Sequence, residues 1–123
     1  MFAAALLATT AARPTVVVTT PNGRVGSALV RALDDRGVSV VALARDAAKA
    51  RAAVSANIRV LEADYGDPDA LEAAFASISG STRVFLACGN SPTQATLECN
   101  VLDAAHRRRR RQLDDVLLSL IHI

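Results

Sequence analysis

Residues 16–33 constrain this chain more than any other stretch. Val16-Val17-Val18-Thr19-Thr20 is rich in β-branched side chains, Pro21-Asn22-Gly23-Arg24-Val25-Gly26 carries two glycines, and Val25, Ala28, Leu29, Ala32 and Leu33 recur at helical spacing. β-Branched residues suit a pleated strand, and apolar residues at i, i+3, i+4, i+7 and i+8 give a helix one apolar face. The segment therefore predicts strand, glycine turn and helix, with Asp35-Arg36-Gly37 closing the helix on a left-handed glycine. Such a turn presents the free N–H groups and positive dipole end of the helix, a seat for a phosphate. Gly23 is expected to let the backbone turn and approach the phosphate without a Cβ, and Gly26 to let the helix pack closely on the strand. Asn22 is read either as tolerating an unusual backbone angle or as capping the helix.

The same theme repeats along the chain. Val38-Ser39-Val40-Val41-Ala42-Leu43 predicts a second strand, apolar enough to be covered on both faces, and Ile58 to Leu61 a third. Ala47, Ala50 and Val54 mark a short second helix. Leu71, Ala74, Phe75 and Ile78 mark a third, entered through an Asp67 cap and Pro68 at the first helical position. Arg83-Val84-Phe85-Leu86 predicts a fourth strand. Ser91-Pro92-Thr93-Gln94 has the form of a capping box before a helix through Leu97, Val101, Ala104 and Ala105, and Val116-Leu117-Leu118 would be a fifth strand. Alternating strands and helices of this length predict an α/β fold, a Rossmann-type doubly wound parallel sheet of about five strands in the order 3-2-1-4-5, incomplete at its C-terminal side. Ligands of such sheets bind at the carboxyl ends of strands one and four, where the order reverses.

Arg45 follows the second strand, 19 residues after Gly26, where such folds meet the adenosine ribose of a dinucleotide. An acidic residue there would hold the two ribose hydroxyls of NAD, whereas the planar fork of an arginine pairs with the 2′-phosphate of NADP. NADP is therefore the preferred cofactor, with NAD the alternative. Asp46 next to it is read as a ribose ligand or as the N-cap of the second helix.

Thr19 to Gly26, Val40 to Asp46 and Leu61-Glu62-Ala63-Asp64-Tyr65-Gly66-Asp67-Pro68 together resemble the NmrA-like, atypical short-chain dehydrogenase/reductase group of NAD(P)-binding proteins, over Thr15 to Ser119. Members of the group read Thr-Gly-Ala-Thr-Gly-x-x-Gly in the first turn, so Thr20 stands in place of the first glycine and Pro21 in place of the alanine. The resemblance implies that Arg24 and Val25 offer backbone N–H groups to the pyrophosphate, and that Arg45 meets the 2′-phosphate. It places Asp64 and Tyr65 beside the adenine, and makes Ala87, Cys88 and Gly89 a small-residue turn lining the cleft. Asn100 matches a recurrent asparagine on the next helix. Cys88 reads as a wall residue and not as a nucleophile, since no histidine neighbours it.

The reductases of this superfamily use a Tyr-x-x-x-Lys pair for proton handling. This chain has one tyrosine, Tyr65, and one lysine, Lys49, which comes first, so the pair is absent and no catalytic residue is assigned. Three functions follow from the resemblance: an NADP-dependent oxidoreductase with its substrate region outside this chain, a non-catalytic redox sensor, and a fragment without function. Neither substrate nor oligomeric state is legible.

Composition sets the outer bounds. With 51% hydrophobic and 21% charged residues the chain has the means to bury one core, and no apolar run reaches the length of a membrane span. Cys88 and Cys99 form neither a disulfide framework nor a Cys-x-x-Cys pair, which suits a reducing, cytoplasmic setting. His106 and His122 lack metal-ligand spacing, so no metal is expected. Residues 1–14 read as a flexible tail, whose apolar, acid-free start leaves organelle targeting open. Residues 15–119 form the partial NAD(P)-binding domain, and residues 120–123 read as a tail or an artefact of sequence.

Arg107 to Arg111 supplies the basic balance: without it the formal charge of +2 becomes −3. Successive helical residues point about 100° apart and no aromatic residue interleaves, so nucleic-acid binding is disfavoured. A solvated helix end, whose carbonyls attract cations, or damaged sequence are the readings left.

Overall fold

The computed structural model describes residues 13–89, 91–111 and 120–122. The apolar runs form strands β1 (Thr15–Thr19), β2 (Val40–Ala44), β3 (Arg59–Glu62), β4 (Thr82–Leu86) and β5 (Leu120–His122). The periodic segments form helices α1 (Arg24–Asp35), α2 (Ala47–Ala53), α3 (Pro68–Ala76) and α4 (Gln94–Arg111). Every strand pairs parallel, in the order β3-β2-β1-β4-β5 expected from the sequence. The order reverses between β1 and β4, so their carboxyl ends open the crevice in which such sheets bind ligands. One boundary differs: β5 is made by Leu120–His122, which the sequence assigned to a tail. Val116–Leu118 and the first twelve residues lie outside the described residues.

Strand residues alternate between two helical layers, because successive side chains point to opposite faces of a sheet. Val17, Val41, Leu43, Val84 and Leu86 pack with Leu71 and Phe75 of α3 and with Val101, Ala104 and Ala105 of α4. Val18, Val40, Ala42 and Phe85 pack with Val30, Leu29 and Leu33 of α1. The register Val16↔Val40 and Val16↔Arg83 keeps β1 level with both neighbours, so its end at Thr19 meets the ends of β2 and β4 at one rim.

The helix ends are finished differently, and the difference bears on the site. Asp46 caps α2 by accepting from Lys49 N–H at 3.2 Å, and Glu62 accepts from Ala47 N–H at 3.0 Å. Asp67 caps α3 by accepting from the N–H groups of Asp69 and Ala70, ahead of Pro68. A carboxylate in each place satisfies donors that the helix cannot and opposes its dipole. α1 has neither: Gly23 is its N-cap, no side chain caps it, and its first turn holds no acidic residue. Its far end closes as expected on Gly37, at φ +73°.

Two sequence expectations are corrected at α4. The Ser91–Gln94 capping box does not form: Ser91 Oγ meets Thr93 Oγ1, while Gln94 Nε2 donates to Glu98 Oε2 at 3.0 Å. The arginine run is not simply solvated either. Arg108 is buried, its guanidinium donating to the carbonyls of Ile78 and Gly80, while Arg107 reaches Glu72 at 3.4 Å. Ile78 and Gly80 lie just past the end of α3, so Arg108 serves carbonyls that have no helical partner.

Candidate functional site

The crevice at the sheet's carboxyl rim begins with Thr19. This residue is fully buried, and its hydroxyl donates to the Phe85 carbonyl at 2.9 Å and accepts from Ala87 N–H at 2.9 Å, joining the ends of β1 and β4. The next residue, Thr20, has φ +45° and is the one non-glycine residue at positive φ among those described. It stands where the family resemblance implies glycine, and its backbone has the positive φ that glycine adopts freely. The sequence alone has Gly23 make the turn and Asn22 either tolerate an unusual angle or cap the helix. Gly23 has φ −78° and ψ 170°, open to any residue, and Asn22 makes no cap.

Gly26 behaves as expected for a close approach. A Cβ built on it would lie 2.1 Å from the Thr20 carbonyl oxygen, whereas one on Gly23 would lie 3.3 Å from the same atom. Between these glycines the backbone N–H groups of Arg24, Val25 and Gly26 open the helix, with no side-chain cap.

Next to this turn is a cavity of about 250 Å³, lined by Thr20, Asn22, Arg45, Asp46, Lys49, Asp64, Tyr65, Cys88 and Leu97. Seven of the residues singled out in the sequence meet there: Thr20, Asn22, Arg45, Asp46, Asp64, Tyr65 and Cys88. Gly23, Arg24, Val25 and Gly26 do not line it; they form the turn and helix start that follow Asn22. Ala87 and Gly89 flank Cys88 just past β4, and Gly89 sits at φ +90°.

The charged lining divides into committed and uncommitted groups. Asp46 Oδ1 caps α2, the second of its two readings, and the residue also lines the cavity. Asp64 Oδ1 accepts from Gly66 N–H at 2.8 Å, closing a tight turn and leaving its second oxygen without a partner among the described residues. Arg45 and Lys49 are exposed and form no ion pair among the described residues. Lys49 and Leu97 were missed by sequence reasoning. Lys49 lies in the first turn of α2, four residues past Arg45, and that spacing was the available signal. Leu97 read only as a core position of α4.

Tyr65 is almost fully buried. Its hydroxyl accepts from Thr20 N–H at 2.8 Å and donates to the Leu43 carbonyl. Burial pushes its ionisation above the usual tyrosine range, and the Thr20 N–H opposes this only in part. The single tyrosine and single lysine do share one cavity, yet this phenol is committed on both sides and is no free proton donor.

Cys88 is buried, and its pKa is pushed up to about 11, chiefly by burial and then by the nearby Glu98. A thiol that stays protonated is a poor nucleophile, as the sequence reading held. Iodoacetamide at pH 8 should therefore alkylate the exposed Cys99 and leave Cys88 intact in the folded protein, as read by peptide mass. Equal labelling of both would contradict this. Among the described residues no cluster of His, Cys, Asp and Glu could hold a metal ion, and no helix is long and apolar enough to cross a membrane.

A doubly wound parallel sheet with a glycine-bearing turn and an uncapped helix at its switch point defines a Rossmann-type nucleotide-binding domain. The family model described as NAD(P)H-binding matches residues 21–119, and the chain belongs to that family. No curated protein matches it. Among solved structures it is similar to Citrobacter sp. triphenylmethane reductase complexed with NADP(H), at 25% identity and a TM-score of 0.61, covering 76% of this chain and 34% of that one. It is similar to the NADPH-dependent quinone oxidoreductase of Escherichia coli complexed with NADPH, at 28% identity and a TM-score of 0.61, covering 73% and 32%. The Thermus thermophilus UDP-glucose 4-epimerase in complex with NAD gives 26% identity and a TM-score of 0.65, covering 76% and 34%. The chain spans about a third of the length of each. These matches bear out the resemblance to NmrA-like, atypical short-chain dehydrogenases/reductases, and a nicotinamide dinucleotide as the ligand class.

Proposed function

We propose that this chain is the cofactor-binding part of an NADP-dependent oxidoreductase of a reducing, cytoplasmic setting, whose substrate is held by residues outside it. The diphosphate sits on the N–H groups of Arg24 and Val25 beside Gly23. Asp64 and Tyr65 border the adenine, Ala87, Cys88 and Gly89 wall the cleft, and Arg45, aided by Lys49, takes the 2′-phosphate. The bound dinucleotide would supply or accept a hydride, and the residues of this chain bind and orient it.

One observation carries the choice of NADP. Two cations without carboxylate partners, Arg45 and Lys49, line the cavity where an NAD-specific site would present an acidic side chain. Asp46, the acidic residue nearest in sequence, is used as a helix cap. Calorimetric titration of the purified protein with NADPH and NADH tests the proposal. NADPH should bind at least about tenfold more tightly. Equal affinities would overturn the preference, and failure to bind either would overturn the dinucleotide site itself.

A non-catalytic redox sensor is the second reading, favoured by Tyr65, whose hydroxyl is committed to Thr20 and Leu43. Oxidation of NADPH by the full-length protein against carbonyl and quinone acceptors separates the two. Turnover would exclude the sensor, and tight binding without turnover would favour it.

A further inference from the structure

Thr20 holds a left-handed conformation that residues with a Cβ rarely adopt and that glycine adopts freely. Strain of this kind persists only where the surroundings over-determine it. Three contacts do so. Thr20 N–H donates to the Tyr65 hydroxyl at 2.8 Å, that hydroxyl donates in turn to the Leu43 carbonyl, and Thr20 Oγ1 donates to the Ala87 carbonyl at 2.6 Å. Tyr65 is itself fixed, because Asn100 Nδ2 on α4 donates to its carbonyl at 3.0 Å. The peptide thus oriented aims its carbonyl at α1: Thr20 O accepts from Gly23 N–H at 3.0 Å and is the atom that a Cβ on Gly26 would strike.

We infer that Tyr65 is a positioning residue for the dinucleotide, whose buried hydroxyl holds Thr20 in the left-handed turn and so sets where the N–H groups at the start of α1 point. In this chain the clamp does what a glycine would otherwise make unnecessary. The phenol acts on the turn and not on the adenine alone. The diphosphate is common to both nicotinamide dinucleotides, so the clamp affects NADPH and NADH alike and leaves the preference between them unchanged. The inference rests on the cofactor reading above.

A double-mutant cycle of Tyr65→Phe and Thr20→Gly tests it, each variant being first confirmed as folded by circular dichroism. Tyr65→Phe should weaken NADPH and NADH equally, by about tenfold, since the hydrogen bond that holds Thr20 at positive φ is lost and the turn can relax. On the Thr20→Gly background the same change should cost less than about threefold, because glycine adopts positive φ without strain. Amide hydrogen exchange gives a readout that needs no cofactor: in Tyr65→Phe the amides of Thr20 and Gly23 should exchange faster, while those of Leu71 and Val101 keep their wild-type rates.

Unchanged binding in Tyr65→Phe, an equal loss on both backgrounds, or unchanged exchange at Thr20 and Gly23 would each overturn the clamp. If the wild type binds neither dinucleotide, the cofactor reading fails and the exchange pattern alone decides the clamp. If Tyr65→Phe does not fold, recovery of a folded protein in the double variant supports the coupling, and failure of that variant as well refutes it.

Discussion

Gly26→Ala is expected to destabilise the domain by about 3 kcal/mol, the upper range for forcing extra volume into a packed site, and to weaken dinucleotide binding by at least about tenfold. The added Cβ would lie 2.1 Å from the Thr20 carbonyl oxygen, 2.9 Å from its carbon and 3.2 Å from Pro21 Cα. All three are backbone atoms, so no side chain can swing aside. Nor is the backbone free to yield, because Pro21 is fully buried and Thr20 is tied to Tyr65 and Ala87. Only a shift of the start of α1 relieves the clash, and that shift moves the N–H groups of Arg24 and Val25.

An opposing effect is smaller. Alanine in a helix gains about 1 kcal/mol over glycine in propensity, which offsets part of the cost without reversing it. Gly23→Ala is the control. Its Cβ would approach no closer than 3.3 Å and its φ of −78° suits any residue, so a loss under about 1 kcal/mol is expected. Urea denaturation of both variants, with NADPH titration of each, checks the pair. A Gly26→Ala stability within about 0.5 kcal/mol of wild type would show that the turn and helix are not locked as described.

Arg45→Ala is expected to weaken NADPH binding by about 1–3 kcal/mol, roughly 5- to 150-fold, and to change NADH binding by less than about twofold. A guanidinium can span two phosphate oxygens with parallel donors, and only NADPH carries a 2′-phosphate for it to meet. Lys49→Ala should produce a smaller loss in the same direction, because an ammonium acts as a point charge on a flexible stem. Both side chains are exposed, so the discrimination should shrink as salt is added, and titrations at two ionic strengths would reveal it. Equal weakening of both dinucleotides by Arg45→Ala would remove the arginine from the 2′-phosphate and with it the preference for NADP.

Much of the fold was legible because its signals are local. Continuous apolar, largely β-branched runs at Val16–Thr19, Val40–Ala44 and Val84–Leu86 placed three central strands within a residue or two, and Asp67-Pro68 marked the start of α3 where the structure has it. The cavity residues Arg45 and Asp64 were legible through their places after β2 and β3. Other features depend on partners distant in sequence. Arg108 looked like one member of a solvated run, and only the packing of α4 beside α3 brings its guanidinium to Ile78 and Gly80. Gln94 had the form of a cap but found Glu98 instead, a competitor one turn away that the short motif does not weigh.

By itself the sequence determined the kind of domain: apolar strand runs alternating with segments of 3.6-residue period, and glycines at 23 and 26 after the first strand, define a doubly wound sheet with the turn proposed as a phosphate seat. Tertiary structure alone decided how that seat is held. The chain places threonine where the family resemblance implies glycine, and the hydroxyl that stabilises the resulting left-handed turn comes from Tyr65, 45 residues away. Backbone strain and its relief are properties of contacts between strands, and no window of sequence short enough to read contains both partners.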